Sequence, residues 1–574
     1  MNEVMMTIFG LAGGLAMFLF GMNSMSDALQ KAAGEKMKKI LGFLTKNPIM
    51  GALAGALVTA VLQSSSATTV MTIGFVSAGL MTLPQAISVI FGANIGTTMT
   101  AQLLAFKITD YIYPIIFIGF MVYFIGKRER VKNIGMVILS FGLLFEGIEI
   151  MGSVMKPLAN SQLFIDLMGR VADLPVLGVL LGAVMTLVVQ SSSATIAVLQ
   201  NFASQAGPDG VTSIMGLAGA IPILLGDNIG TTITALLASI GQSKSAKRTA
   251  ISHSIFNISG SIVFLLLLRP FTAFVTFISP RGNEVDVIAR QIANAHTSFN
   301  VVCTLIWLPL IPLMVKIVTT IIPGEDTIER EAFQPQYLDN NMLDQPVAAM
   351  YVTSQEINRC ADFASALLAS TKGMLDGMEN VDGVLEEQYQ TVERLHDSIA
   401  TYITRLFARG GLTELQAEQT AGLLYIANGI GRIAERSNEV TGWLAAIKSG
   451  GSDLSQTAYK ELAACYTITE RMLQNAIEAV RSRDTELARA VLRDKKKMQK
   501  AQKRFNKAHL ARVKEGKCNA ELTNEFSNIL YSIDRMVDSC AGIAEEAFER
   551  TVFVTLEETT PEDTTPNAAA QPAV

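Results

Sequence analysis

The 574-residue chain carries little charge for its length: Asp, Glu, Lys and Arg make up 17% of it, against about 25% in ordinary soluble domains. From Asn47 to Phe106 there is no Asp, Glu, Lys or Arg at all. That excludes a solvated surface and leaves enough apolar chain for two or three membrane crossings. Cysteine is scarce. Cys303, Cys360, Cys465, Cys518 and Cys540 are odd in number and lack metal-ligand or disulfide-framework spacing, so they read as reduced, packed thiols. No basic stripe is interleaved with aromatics and the net charge is −5, which excludes nucleic acid as the main partner. No glycine loop precedes a Lys-Ser/Thr pair, so ATP is not the energy source. Neither an enzyme nor a cofactor is expected.

What is present falls into two materials. Up to Ile322 there are 13 acids and 19 bases, and beyond it 38 and 27, so an apolar, mildly basic part precedes an acidic one. In the first part, Val4 to Ser26 is an uncharged run long enough to span a bilayer, without the flanks of a cleaved signal, and reads as a retained helix. A lysine-rich amphipathic stretch, Lys31 to Lys46, follows.

Two polar strings interrupt the apolar run: Gln63-Ser64-Ser65-Ser66-Ala67-Thr68-Thr69 and Gly92-Ala93-Asn94-Ile95-Gly96-Thr97-Thr98. Both return, as Gln190-Ser191-Ser192-Ser193-Ala194-Thr195 and Gly226-Asp227-Asn228-Ile229-Gly230-Thr231-Thr232. A Leu/Phe-rich helix, around Phe20 and again around Phe145, precedes each copy, so a membrane unit is duplicated. The arm from Pro48 to Gln63 makes about 24 Å of helix, short of a roughly 30 Å hydrocarbon core. Pro48 to Thr82 is therefore expected to be a re-entrant hairpin, with Pro175 to about Ala206 as its counterpart. Leu83 to Phe106 is expected to cross, broken at Gly92 to Gly96, and Gly210 to Ile240 likewise. Tyr111 to Gly126, Ile134 to Met155, Ala250 to Leu268 and Ser298 to Ile322 complete the spans. With the basic loops (Lys31 to Lys46, Lys127 to Lys132, Lys244 to Arg248) on the cytoplasmic side, the N-terminus lies outside, three crossings make one repeat and the repeats are inverted.

Breaking a helix inside a bilayer frees backbone groups that must be buried in protein or line a wet cavity. Half-helix N-termini offer N–H groups to an anion, while carbonyl and hydroxyl oxygens coordinate a small cation. A tetrahedral oxyanion with sodium is the cargo this donor set suits, with Gln63, Ser64, Ser65, Ser66, Thr68, Asn94, Thr97 and Thr98 from one copy. Gln190, Ser191, Ser192, Ser193, Thr195, Asp227, Asn228, Thr231 and Thr232 are the candidates from the other. Helix packing needs small residues such as Gly51 and Gly55, but it does not need identical strings in both halves. Asp227 is the only acid between Gly210 and Arg248 and stands where the first copy has Ala93. It is expected to be a cation ligand or proton site, with capping of a helix beginning near Asn228 as the other reading. Glu146 and Glu149 are weaker candidates. A third echo, Ala250 to Asn257 against Ala293 to Asn300, puts His253 four residues before Asn257 and His296 four before Asn300; Asn257 and Asn300 are secondary candidates.

At these residues the chain resembles the sodium-dependent phosphate cotransporters, in particular the bacterial relatives of the type II family. The likeness covers roughly residues 1 to 322, with every motif in order. It implies phosphate transport driven by the inward Na⁺ gradient, with sodium as co-transported ligand and both Gln-Ser-Ser-Ser hairpins forming a shared site in a bacterial inner membrane. A membrane phosphate sensor and a symporter for another oxyanion are the alternatives.

The second part is a helical bundle by its periodicity. Leu385, Tyr389, Val392, Leu395, Ile399, Ile403 and Leu406 mark one buried stripe. About six helices are expected between Pro346 and Thr551, as two three-helix units, with breaks near Gly377 to Gly383, Gly410-Gly411, Gly450-Gly451, Arg483 and Gly516. The expected organisation is membrane repeats over 1–133 and 134–322, a linker over 323–345, a cytoplasmic bundle over 346–552 and a disordered tail over 553–574. Gly431-Arg432-Ile433-Ala434-Glu435 and Asp534-Arg535-Met536-Val537-Asp538 resemble the doubled signature of PhoU-type phosphate-regulation proteins. That implies metal binding by Glu435, Glu439, Asp534 and Asp538, although Gly431 stands where the first signature would lead with an acid; a solvated acidic face is the other reading. A homodimer and a cytoplasmic partner for the bundle are compatible with the sequence.

Overall fold

The computed structural model describes residues 3–33, 47–106, 108–159, 174–207, 209–324, 333–378, 382–450 and 453–548. Most of the lysine-rich stretch, part of the linker and all of the expected disordered tail lie outside them. The described residues form nineteen α-helices. Five of these are long and apolar enough to cross a membrane: α1 (Glu3–Ala33), α4 (Leu83–Leu104), α6 (Glu129–Ala159), α9 (Gly216–Ala238) and α10 (Lys244–Leu266). A sixth span is formed if α12 (Glu284–Trp307) and α13 (Ile311–Ile321) count as one.

Each polar Gln-Ser-Ser-Ser string is the hinge of a helical hairpin, α2 (Pro48–Leu62) with α3 (Ser65–Ser77), and α7 (Pro175–Val189) with α8 (Ser192–Ala203). Thr59 and Thr68 hydrogen-bond through their hydroxyls at 2.9 Å. Nine residues of continuous helix would hold them about 13 Å apart, so the chain folds back. Proline opens α2 and α7, where a missing N–H costs no helical bond.

The expected helix breaks at Gly92 to Gly96 and Gly226 to Gly230 are not there: α4 and α9 run through both without interruption. The glycines serve contact instead. A Cβ at Gly92 would meet Ala52 O at 1.8 Å, and one at Gly226 would meet Val179 O at 1.9 Å. Gly55 and Gly182 return the favour from the hairpin arms, against Val89 O at 2.1 Å and Ile223 O at 2.0 Å. Backbones thus touch along α2/α4 and α7/α9, the small-residue contact of membrane helices.

Two expected spans differ as well. Ser298 to Ile322 is not one straight helix, because α12 and α13 meet at 86° around Leu308-Pro309-Leu310, where proline removes a helical hydrogen bond. Tyr111 to Gly126 contains a helix, α5 (Ile112–Ile125), of 14 residues; at about 21 Å it is too short to cross the hydrocarbon core alone. Ala250 to Leu268 lies in α10, which turns into the short α11 (Leu268–Ile278). Lipid-facing positions remain bare of protein, as at Val188, Leu266 and Phe277, which are 73, 82 and 84% exposed.

The two leading helices of the duplication, α1 and α6, pack on each other through Gly14, Gly21 and Gly147. Beyond the membrane part, α14 (Pro346–Leu375), α15 (Asp382–Arg409), α16 (Glu414–Ser449), α17 (Gln456–Ser482), α18 (Thr485–Lys514) and α19 (Thr523–Glu545) form the expected six-helix bundle. The stripe from Leu385 to Leu406 is buried in it, apart from the half-buried Tyr389. Buried Glu356 anchors the preceding linker, accepting from Gln336 N and Tyr337 N at 2.7 Å each and pairing with Arg359 at 2.7 Å. One apolar core runs from Val58, Met71 and Phe75 into Met342, Tyr351 and the bundle.

Candidate functional site

The site follows from how each hairpin turns. Gln63 and Gln190 end α2 and α7 in the left-handed region, at φ 52° and 53°, which costs a non-glycine residue about 1 kcal/mol or more. Ser64 and Ser191, extended, then start α3 and α8; their hydroxyls accept from Ala67 N at 3.2 Å and Ala194 N at 3.3 Å. The strained turn of each hinge thus leaves the first N–H groups of a helix pointing into whatever space lies in front of it.

That space is shared. Gln63, Ser64, Ser65 and Ser66 line a cavity of about 340 Å³ together with Gln190, Ser191, Ser192 and Ser193. Its remaining wall includes Leu19, Met22, Asn23 and Ser26 of α1. Thr100 Oγ1 donates to Gln63 Oε1 at 2.7 Å within the first copy, and Thr234 Oγ1 of the second copy donates to Ser66 Oγ of the first at 3.2 Å.

The other expected residues stand behind this wall. Thr68 and Thr195 bond back to Ser64 O and Ser191 O and meet Thr59 and Thr186 across each hairpin. Thr97, Thr98, Thr231 and Thr232 satisfy their hydroxyls on carbonyls of their own helices. Asp227 is fully buried inside continuous α9, so it does not cap a helix. Its Oδ1 accepts from Thr186 at 2.5 Å, and its Oδ2 has no hydrogen-bond partner among the described residues. Asn94 and Asn228 meet the two histidines: His253 Nε2 lies 3.1 Å from Asn94 Oδ1 and His296 Nε2 lies 3.3 Å from Asn228 Oδ1. Asn257 and Asn300 donate to His253 O and His296 O at 3.0 Å, and their Oδ1 atoms are buried without partners among the described residues.

Thr59 and Thr186, Thr100 and Thr234, and the α1 wall were not among the sequence candidates. A signal existed for Thr59 and Thr186, since each lies four residues before its Gln-Ser-Ser-Ser string. The α1 wall had none, because only tertiary packing brings it to the hinges.

In the bundle, Glu439 pairs with Arg436 at 2.6 Å and accepts from Ser532 at 3.0 Å. Asp538 pairs with Lys495 at 2.8 Å and Arg535 at 2.9 Å, and Asp534 with Arg535 at 3.2 Å. Glu435 is exposed. Among the described residues no three His, Cys, Asp or Glu side chains come together to hold a metal ion; Glu439, Asp534 and Asp538 face arginine and lysine.

The family model described as Na⁺/Pi-cotransporter matches twice, over residues 17–153 and 147–278, and the PhoU domain matches residues 464–547. The chain is 33% identical to the YqeW protein of Bacillus subtilis over 276 residues, 48% of this chain and 87% of that one. It is 24% identical to the "Putative inorganic phosphate export protein YjbB" of Salmonella typhimurium over 563 residues, 95% of this chain and 98% of that one. It is 36% identical to the "Sodium-dependent phosphate transport protein 2A" of Rattus norvegicus over 97 residues, 17% of this chain and 15% of that one. No solved structure matches. A doubled family match that falls on the two hairpin units, with a PhoU match in the bundle, accounts for both parts of the chain: it is a multi-pass membrane protein of the Na⁺/Pi-cotransporter family, a phosphate transporter family and not an enzyme, with a C-terminal PhoU domain.

Proposed function

We propose that the chain couples inorganic phosphate to the sodium gradient as a secondary active symporter, holding the anion between its two Gln-Ser-Ser-Ser hinges. The observation that carries this reading is the cavity lined by both strings at once. In the proposed complex the first N–H groups of α3 and α8 and the hydroxyls of Ser64, Ser65, Ser66, Ser191, Ser192 and Ser193 donate to the oxyanion. The amides of Gln63 and Gln190 approach it from the hinges. Helix N-termini favour negative charge, and a site walled by protein strengthens such contacts relative to open water.

Asp227 is the proposed cation ligand or proton site, with its free Oδ2 turned to that task; Asn94, Thr97, Thr98, Asn228, Thr231 and Thr232 support it from behind the hinges. The repeats are read as inverted, with the bundle in the cytoplasm, by taking α5 together with the one-turn helix Thr109–Tyr111 before it as the returning crossing of the first repeat, because that orientation puts Lys127 to Lys132 and Lys244 to Arg248 inside. Each hairpin then gives access from one face. A symporter runs in either direction according to its gradients, so the export in the YjbB name and the sodium in the rat protein's name suit one mechanism.

Radiolabelled phosphate flux in proteoliposomes is the test. The reading requires accumulation with an inward Na⁺ gradient and efflux when the gradient is reversed. Equal uptake in K⁺ alone would sink the coupling, and no phosphate flux under any gradient would favour a sensor. Full competition by sulfate would point to another oxyanion.

A further inference from the structure

A second cavity, of about 300 Å³, lies between the membrane part and the bundle. Its walls include Asp27, Gln30 and Lys31 of α1, Leu62 of α2, and Val347 and Arg409 of the bundle. It is the immediate neighbour of the hinge cavity. Ser26 lines one and Asp27 the other, and Gln63 lines one and Leu62 the other.

Two hydrogen bonds join the two linings. Ser26 Oγ donates to Leu62 O at 2.5 Å, and Gln30 Nε2 donates to Ser26 Oγ at 3.2 Å. Leu62 O is in the last turn of α2, where carbonyls have no helical partner, so the hydroxyl of α1 supplies one. No backbone must unfold to open this contact; a side-chain rotation at Ser26 releases it.

We propose that this second cavity is the vestibule through which the oxyanion passes between the hinge site and the bundle side. Ser26, Gln30 and Leu62 form its gate, and Lys31 and Arg409 are its anion contacts. The inference rests on the phosphate-transport reading above. The vestibule's cations are balanced: Asp27 lies one turn from Lys31 on α1, and Arg409 stands 3.6 Å from Asp344. Such pairs offer an anion a guanidinium or ammonium group without a net positive trap, which is what a conduit needs, since a transit site must bind weakly enough to release. Because the bundle supplies Val347 and Arg409, any shift of the bundle changes the width of the conduit, and this couples the PhoU domain to flux.

The test uses the full chain in proteoliposomes, with Cys518→Ser removing the half-buried thiol. Gln345→Cys and Val347→Cys, separately, put a thiol on the vestibule wall, and Ser449→Cys puts one on the outer surface of the bundle. Each protein's phosphate flux is measured before and after a sulfonate-bearing methanethiosulfonate, and phosphate binding is measured by titration in detergent. The proposal requires flux to fall by about fivefold or more at both wall positions, with binding retained and Ser449→Cys unaffected, because a tethered anion both narrows and repels along a conduit. Unchanged flux after complete modification at both positions overturns the vestibule while leaving the hinge site standing. An unmodified protein that neither binds nor moves phosphate would instead overturn the transport reading, and the vestibule with it.

Discussion

His253 on α10 and Asn94 on α4 meet at 3.1 Å between Nε2 and Oδ1, and His296 on α12 repeats the contact with Asn228 on α9 at 3.3 Å. An amide oxygen only accepts, so each imidazole donates from Nε2 and keeps Nδ1 as an acceptor. Each copy of the Asn-Ile-Gly-Thr-Thr string is thereby tied to a copy of the His-x-x-x-Asn segment.

Asn94→Leu should leave a buried imidazole N–H unpaired and cost about 1–3 kcal/mol. Thermal unfolding in detergent would register the loss, and His253→Phe combined with Asn94→Leu should recover part of it. Additive losses in that double-mutant cycle would mean that the contact contributes nothing.

The hinge conformation and the hinge chemistry separate at Gln63. Glycine adopts φ near 52° without penalty, so Gln63→Gly should fold as well as the parent yet lose most phosphate flux. Gln63→Val should misfold, since a β-branched residue resists that region. Full flux in the glycine variant would remove Gln63 from the site.

Ser65→Ala and Ser192→Ala should each cut flux by about tenfold or more, as loss of a charge-assisted hydrogen bond of 1.5–3 kcal/mol would, without preventing membrane insertion. Wild-type kinetics from both would end the assignment.

Gly92→Ala puts a Cβ 1.8 Å from Ala52 O, and Gly226→Ala one 1.9 Å from Val179 O. Backbone cannot yield as a side chain can, so each should destabilise by about 1–3 kcal/mol. Gly13→Ala, whose Cβ meets nothing within 4 Å among the described residues, is the neutral control. Equal melting temperatures for all three would contradict the close helix contact.

In the bundle, His509 is 1% exposed and stacks on Phe526 at 4.2 Å, with neither ring nitrogen hydrogen-bonded among the described residues. Burial holds its pKa below the usual histidine value. Below about pH 6.5 the unfolded chain therefore binds a proton that the fold refuses. The histidine's contribution is fully present above that value and lost as the pH falls. His509→Phe should flatten the drop in melting temperature between neutral and mildly acidic pH; an unchanged slope would exclude His509 as its source.

Much of the site could be read from strings alone. The two Gln-Ser-Ser-Ser hinges, the hairpins around them and the six bundle helices follow from local signals: proline before an apolar arm, serine as a cap, and a stripe at threes and fours. The glycines of α4 and α9 misled because glycine has two physical uses, freedom to bend and room for a neighbouring backbone, and a sequence does not say which one a neighbour requires. In the bundle, Glu439, Asp534 and Asp538 meet Arg436, Lys495 and Arg535, and of these only Arg436 and Arg535 are on the same helix as the carboxylate they meet.

The sequence by itself determined the duplication, the donor chemistry of each copy and the division into apolar and acidic parts, since these depend on residue order and periodicity. Only the tertiary structure decided that both hinges open into one cavity, that α1 walls it and that the bundle abuts a second one. Those relationships join residues up to hundreds of positions apart, and they arise from which helix faces can approach closely enough to bury one another.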